Sequence, residues 1–267
     1  MTIPRLLYYP LGKDVTAFSS TRQGGCSEGR YGEFNINRYC GDSEESIRQN
    51  HKALCQHLGI SDDCLIMPHQ VHLTEMAVVD ETFLQLSDEA RLASLEGIDA
   101  LMTDVAGVCI GVSTADCIPV LLYDSVRHAV CAIHAGWRGT VQRIVEKAVA
   151  RMSVVYGSRP ADIMAQIGPG IHLDNFEVGN EVYEAFAHEG FDMETISRKY
   201  PSSDEMGEKW HINLPECNRQ QLLATGIPAD HIAVSPICSY QQSDTFFSAR
   251  RLGINSGRIF TGILLQP

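Results

Sequence analysis

The stretch TADCIPVLLYDSVRHAVCAIHAGWRG, residues 114–139, places a cysteine and a histidine at the margins of two short apolar runs. Cys117 follows Asp116, and His134 stands just ahead of a turn built of Ala135, Gly136, Trp137, Arg138 and Gly139. A Cys and a His held together do one of two things: they ligate a transition metal, or they pair as nucleophile and base. A third group lies upstream in MPHQVHLTE, where His69 and His72 are three apart. In extended chain the two point to opposite sides, so only one can join Cys117 and His134. One Cys with two His is a familiar set for a catalytic zinc whose fourth position stays open. The three are separated by 45 and 17 positions (117 − 72 and 134 − 117), nothing like a zinc finger, so the spacing alone does not choose between the chemistries.

Side chains of this kind need a rigid platform. The strand period puts His128, Val130, Ala132 and His134 on one face, with His134 at the strand's end. Cys117 likewise ends a run, and Pro119 is expected to break any continuous ladder there. With strands over 108–112 and 129–133 as neighbours, Cys117 and His134 share one end of a sheet. Further strands are expected at 76–79, 120–123, 163–167 and 259–265. Helices are expected at 43–58, 140–156, 181–188 and 215–224. The second carries Val141, Ile144, Val145, Ala148 and Met152 on one face and stops at Gly157. The last opens with Pro215 and closes on Gly226. The polar, Pro-broken SRKYPSSDEMGEKW, 197–210, reads as a long surface loop. Strands and helices intermingle without strict alternation, which implies an α+β fold of mixed sheets with helices outside, in a single domain over 1–267.

Composition bounds the function classes. An apolar content of 44% and a charged content of 20% suit a soluble globular chain of 267 residues. A net charge of −12 with scattered basic residues argues against a nucleic-acid partner. An anion bound by so acidic a protein must be met by a few aimed arginines or a metal. The amino terminus lacks a signal-peptide core, and the longest uncharged apolar stretch, 105–115, is about half a membrane span; a cytoplasmic location without membrane contact is expected. Nine cysteines without a C-x-x-C spacing point to reduced, mostly buried thiols.

The segments TADCIPVLLYD, HAGWRG, QVH and IGPGI…FEVG closely resemble the signature of the YfiH/laccase-domain family, described both as multicopper polyphenol oxidase-like and as zinc-dependent purine nucleoside phosphorylases. STRQGGCS (20–27), FN (34–35), GD (41–42) and FFSARR…SGR (246–258) extend the resemblance over nearly the whole chain, in the same order. It implies an αββα-type sandwich and a metal site of His72, Cys117 and His134, serving also as the catalytic residues. It implies zinc rather than copper, and phosphorolysis of adenosine, inosine and methylthioadenosine with adenosine deamination in the same pocket. Purine nucleosides and phosphate are the implied partners of a monomer or homodimer. Asn35 and the arginines Arg138, Arg22 and Arg250 are the motif-borne candidates for substrate, because a guanidinium pairs bidentately with phosphate; Arg251 lies beside the last. Asp116 and Glu177 are candidates for acid–base or orienting roles.

Four positions depart from the family pattern. Tyr39-Cys40 stand where His-Val is usual, His51 replaces an Arg, and Phe176 replaces a Tyr. Rival readings remain a cysteine- or zinc-dependent amidase acting on cell-wall precursors, a copper-dependent phenol oxidase, and a metal-stabilised binding module. Copper oxidases need further His clusters, and no His-x-His pair occurs in the sequence.

Overall fold

The computed structural model describes residues 3–201 and 207–266. In chain order the strands are β1 (Leu6–Tyr9), β2 (Val15–Ser20), β3 (Leu65–Ile66), β4 (Met76–Val78), β5 (Ala100–Thr103), β6 (Cys109–Thr114) and β7 (Ile118–Asp124). They continue with β8 (Ala129–Ala135), β9 (Ile163–Ile167), β10 (Glu177–Val178), β11 (Ser197–Pro201), β12 (Glu208–Ile212), β13 (Ile232–Val234) and β14 (Ile259–Leu265). A mixed five-stranded sheet has the order β1-β2-β14-β6-β3, and a mixed six-stranded sheet the order β13-β9-β7-β8-β5-β4. A small antiparallel sheet, β10-β12-β11, completes the set.

Side-chain alternation sorts the core into layers. Leu121 and Tyr123 of β7 and Val130 and Ala132 of β8 face Val15, Ala17, Ile110, Val112 and Ile263 of the other large sheet. Their neighbours Val120, Leu122, Cys131 and Ile133 point the other way, onto Ile144, Val145, Ala148 and Met152 of the helix Ile144–Tyr156 and Leu222 of the helix Leu214–Ala224. On the far side, Phe18, Cys109 and Phe260 receive Leu54 and Cys55 of the helix Glu44–Leu58. Helix, sheet, sheet, helix: the fold is the expected αββα sandwich. Strands of the central sheet are apolar on both faces because both are covered, which explains the unbroken runs in the sequence.

Three local expectations change. The segment 197–210 is not a loop: β11 and β12 pair antiparallel from Ser197↔Ile212 to Pro201↔Glu208, with 202–206 outside the described residues. Its polarity misleads because β11 is an edge strand with exposed Arg198 and Lys199, whereas Ile212 is fully buried. The helix expected over 140–156 is two, Trp137–Val141 and Ile144–Tyr156, broken at Arg143, whose φ is 63°. β6 and β8 belong to different sheets, and the neighbour of β8 is β7, with Pro119 opposite His134 inside the ladder. Pro119 is tolerated because its carbonyl accepts from the Gly168 N–H on the side where β9 has already ended at Ile167. Among the described residues no helix is long and apolar enough to cross a membrane.

Candidate metal centre

Three separate segments converge at one end of the six-stranded sheet. Cys117 occupies the short crossover between β6 and β7, and His134 is the penultimate residue of β8. His72 sits in the loop before β4 with φ of 66°, and Asp116 beside Cys117 has φ of 86°, both left-handed. The ligand atoms of His72, Cys117 and His134 lie within 4.8 Å of one another. The two imidazoles meet edge to face, 4.8 Å between centroids. Gly136 lies directly beneath: a Cβ there would stand 3.0 Å from His72 Cδ2 and 3.2 Å from Cys117 Sγ. A Cβ there would be tight against both ligands, which is the local reason for glycine.

The residue that assembles the site is Asp99, which was not among the expected site residues. It is fully buried at the head of β5. Its Oδ1 accepts from His134 Nδ1 at 2.7 Å and from the His72 backbone N–H at 3.0 Å. Its Oδ2 accepts from the N–H groups of Leu73 (2.8 Å) and Val71 (3.3 Å). A carboxylate can only accept here, so His134 carries its proton on Nδ1 and turns Nε2 toward the cluster. Asp116 is the other anchor: Ser239 Oγ and the Arg250 backbone N–H donate to its carboxylate, each at 2.7 Å, which fixes the crossover carrying Cys117.

Burial alone would push the Cys117 thiol up, but the charge and hydrogen bonds of His134 and His72 outweigh it and lower the thiol to about 6. Burial likewise disfavours charged His134, but with no metal bound the Cys117 thiolate and Asp99 carboxylate raise it to about 9, so a metal must displace the Nε2 proton to be ligated there. A thiolate and two imidazoles around one point form a donor set suited to a borderline-soft divalent metal.

A family model described as multi-copper polyphenol oxidoreductase laccase matches residues 16–266. The chain belongs to this laccase family. A purine nucleoside phosphorylase of Bacteroides thetaiotaomicron is 47% identical to it, covering 95% of this chain and 92% of the relative. The adenosine deaminase RL5 of an unknown prokaryotic organism is 45% identical, covering 93% of each chain. The crystal structure of YfiH from Bacillus licheniformis superposes with a TM-score of 0.89 at 31% identity, over 98% of this chain and 97% of that one.

In this laccase-family member the cluster opens into a cavity of about 180 Å³, also lined by Asn37, Tyr39, Cys40, His69 and Arg258. The motif-borne arginines do not line it. Arg22 donates to the carbonyls of Gly32 and Ser243 and lies against Phe247. Arg138 is exposed and lies over Trp137 at 4.3 Å, Arg250 donates to the Glu177 carbonyl, and Arg251 reaches Tyr240. The cation on the wall is Arg258, at the end of the SGR motif, whose guanidinium donates to the carbonyls of Ile254, Ser256 and Gly257 at the cavity's edge. Asn35 is fully buried behind that wall: its Nδ2 donates to Asp42 at 2.9 Å, and its Oδ1 accepts from the Arg258 and Asn37 N–H groups. Glu177 faces His211, 3.9 Å away, outside the cavity.

The departures from the family pattern have visible consequences. Tyr39 stacks on His69 with 4.0 Å between ring centroids, and His69 in turn pairs with Glu96. Phe176 is buried with the Arg250 guanidinium 5.7 Å from its ring.

Replacing Gly136 with Ala should leave the fold intact, since its φ of −67° suits alanine, while crowding the cluster from below. Metal content after dialysis, measured by elemental analysis, should fall well below that of the unaltered protein; full occupancy would show that the neighbours yield without cost.

Proposed function

We propose that this laccase-family member is a zinc-dependent purine nucleoside phosphorylase, taking adenosine, inosine and methylthioadenosine, that also deaminates adenosine in the same site. The observation that carries the reading is the convergence of His72, Cys117 and His134 above Gly136. The names of the two relatives, a phosphorylase and a deaminase, support it. The donor set fits zinc, and copper fits less well: among the described residues no cluster of further histidines accompanies the three. When bound, zinc supplies a Lewis acid and a water activated at neutral pH.

The chain's own groups do the rest. Asp99 holds His134 in the tautomer that leaves Nε2 free, and it pins the loop bearing His72. The stacked Tyr39–His69 pair offers a flat aromatic wall to a purine. Arg258 brings positive charge to the cavity for phosphate, in an otherwise acidic protein. Purine nucleosides and phosphate are thus the proposed ligands.

One observation favours a second reading. Cys117, His134 and Asp99 follow the order of a nucleophile, its base and an orienting carboxylate, as in cysteine hydrolases. In that reading His72 is dispensable; in ours it is essential.

Purified protein assayed with and without phosphate separates the reactions. Base release should vanish without phosphate, whereas deamination of adenosine should not rise when phosphate is added. Arg258→Ala should raise the phosphate KM about tenfold or more, through loss of a charge-assisted contact, and Arg138→Ala should leave it nearly unchanged. The proposal is overturned if protein free of contaminating enzymes releases no base from any purine nucleoside at any phosphate concentration.

A further inference from the structure

A second cluster of ligating side chains lies on the opposite side of the five-stranded sheet from the first. The helix Glu44–Leu58 is capped by Ser43 and ends at Gly59, whose φ of 72° reverses the chain. After this turn a single 3-10 turn, Asp62–Cys64, runs back past the helix end into β3. His51 and Cys55 are spaced i, i+4 and so share one face of the helix. The reversal brings Asp62 against that face. The ligand atoms of His51, Cys55 and Asp62 lie within 4.8 Å of one another, with Cys55 Sγ 3.8 Å from His51 Nδ1.

We propose that His51, Cys55 and Asp62 form a second binding site for a zinc-like divalent cation, separate from the His72–Cys117–His134 centre. Two features of the geometry support it. The donors are of three kinds, imidazole, thiol and carboxylate, each a recognised zinc ligand. They are also graded in exposure: Cys55 is 1% exposed, His51 is half-buried and Asp62 is on the surface. An ion can therefore arrive from solvent and lose water stepwise.

A divalent ion bound here would draw the buried thiol, the imidazole and the surface carboxylate to one charge. The His51 departure from the family pattern gives this site its nitrogen. Occupation would tie the helix end to β3, the strand at the edge of the five-stranded sheet.

Metal-free protein titrated with zinc alone tests the assignment, with bound ion counted by elemental analysis after gel filtration. The unaltered protein should bind two equivalents, and Cys117→Ser one. In the Cys117→Ser background, Asp62→Ala, a surface change that leaves the core untouched, should weaken the remaining equivalent at least about tenfold. Cobalt added to Cys117→Ser should give the near-ultraviolet absorption of a thiolate–cobalt bond, absent once Cys55→Ser is added. The proposal is overturned if Cys117→Ser binds no zinc, or if Asp62→Ala and Cys55→Ser both leave its binding unchanged. Retention of one equivalent by unaltered protein that is lost in Asp62→Ala, but not in Cys117→Ser, would uphold this site and count against the other.

Discussion

Changing His72 to Ala should abolish base release and deamination together, each by on the order of 10³-fold or more, because both are proposed to use one metal. His72 is exposed and lies on a loop, so the fold should persist, as circular dichroism would show. Zinc at the main centre should drop with activity. Equal loss of the two reactions is the informative result. A cysteine hydrolase built on Cys117, His134 and Asp99 keeps its nucleophile, base and orienting carboxylate in this variant, and would retain most of its rate. Retention of either nucleoside reaction at full rate would sink the shared-metal reading.

Asp99 carries the second large effect. Replacing it with Ala strips acceptors from the His134 imidazole and from three backbone N–H groups, two of them at 3.0 Å or less. Unmet donors of this kind cost about 1–3 kcal/mol each when buried, and these are partly buried. A total near 3 kcal/mol is expected, read as a shift in urea midpoint. Asp99→Asn separates stability from function. It keeps an acceptor for the loop amides but presents an NH₂ group or a single oxygen to His134, disturbing the tautomer that frees Nε2. The protein should therefore stay folded, with metal affinity down about 10–100-fold. An Asn variant that binds metal normally would show that Asp99 only braces the loop.

The contrast between Cys117 and Asp99 explains how much of this site was legible in the sequence. Cys117 and His134 each announce themselves, because a polar ligand at the end of an apolar run has few structural reasons to be there. Their convergence also followed from strand logic, though through β7 and β8 rather than through β6. Asp99 gives no such signal. It precedes the four-residue strand β5, and its partners lie 26 to 35 residues away, so its role exists only in three dimensions. The one available hint was a carboxylate set directly against the apolar run Ala100, Leu101 and Met102. For the arginines, Arg22, Arg138 and Arg250 stand outside the cavity lining and Arg258, in the same carboxyl-terminal motif as Arg250, stands within it. Which guanidinium reaches a cavity wall depends on rotamers that no spacing encodes.

The same division holds for the fold. Runs such as 163–167 and 259–265 were readable to the residue because both faces of their strands are covered. β11 and β12 were not, since an edge hairpin with one wet face looks like a loop. The break at Arg143 was invisible because an apolar stripe continues across it.

Two of the four non-glycine residues with left-handed backbone among the described residues, His72 and Asp116, lie at the candidate centre or beside it. Such a conformation costs of order 1 kcal/mol for a side chain with a Cβ and almost nothing for glycine. At these positions the most comfortable residue for the backbone is one that cannot do the chemistry. Selection for robustness alone would drift toward glycine at His72 and erase the site while making the protein harder to unfold. The presence of histidine and aspartate there is a trade-off written into the main chain, between what endures and what works.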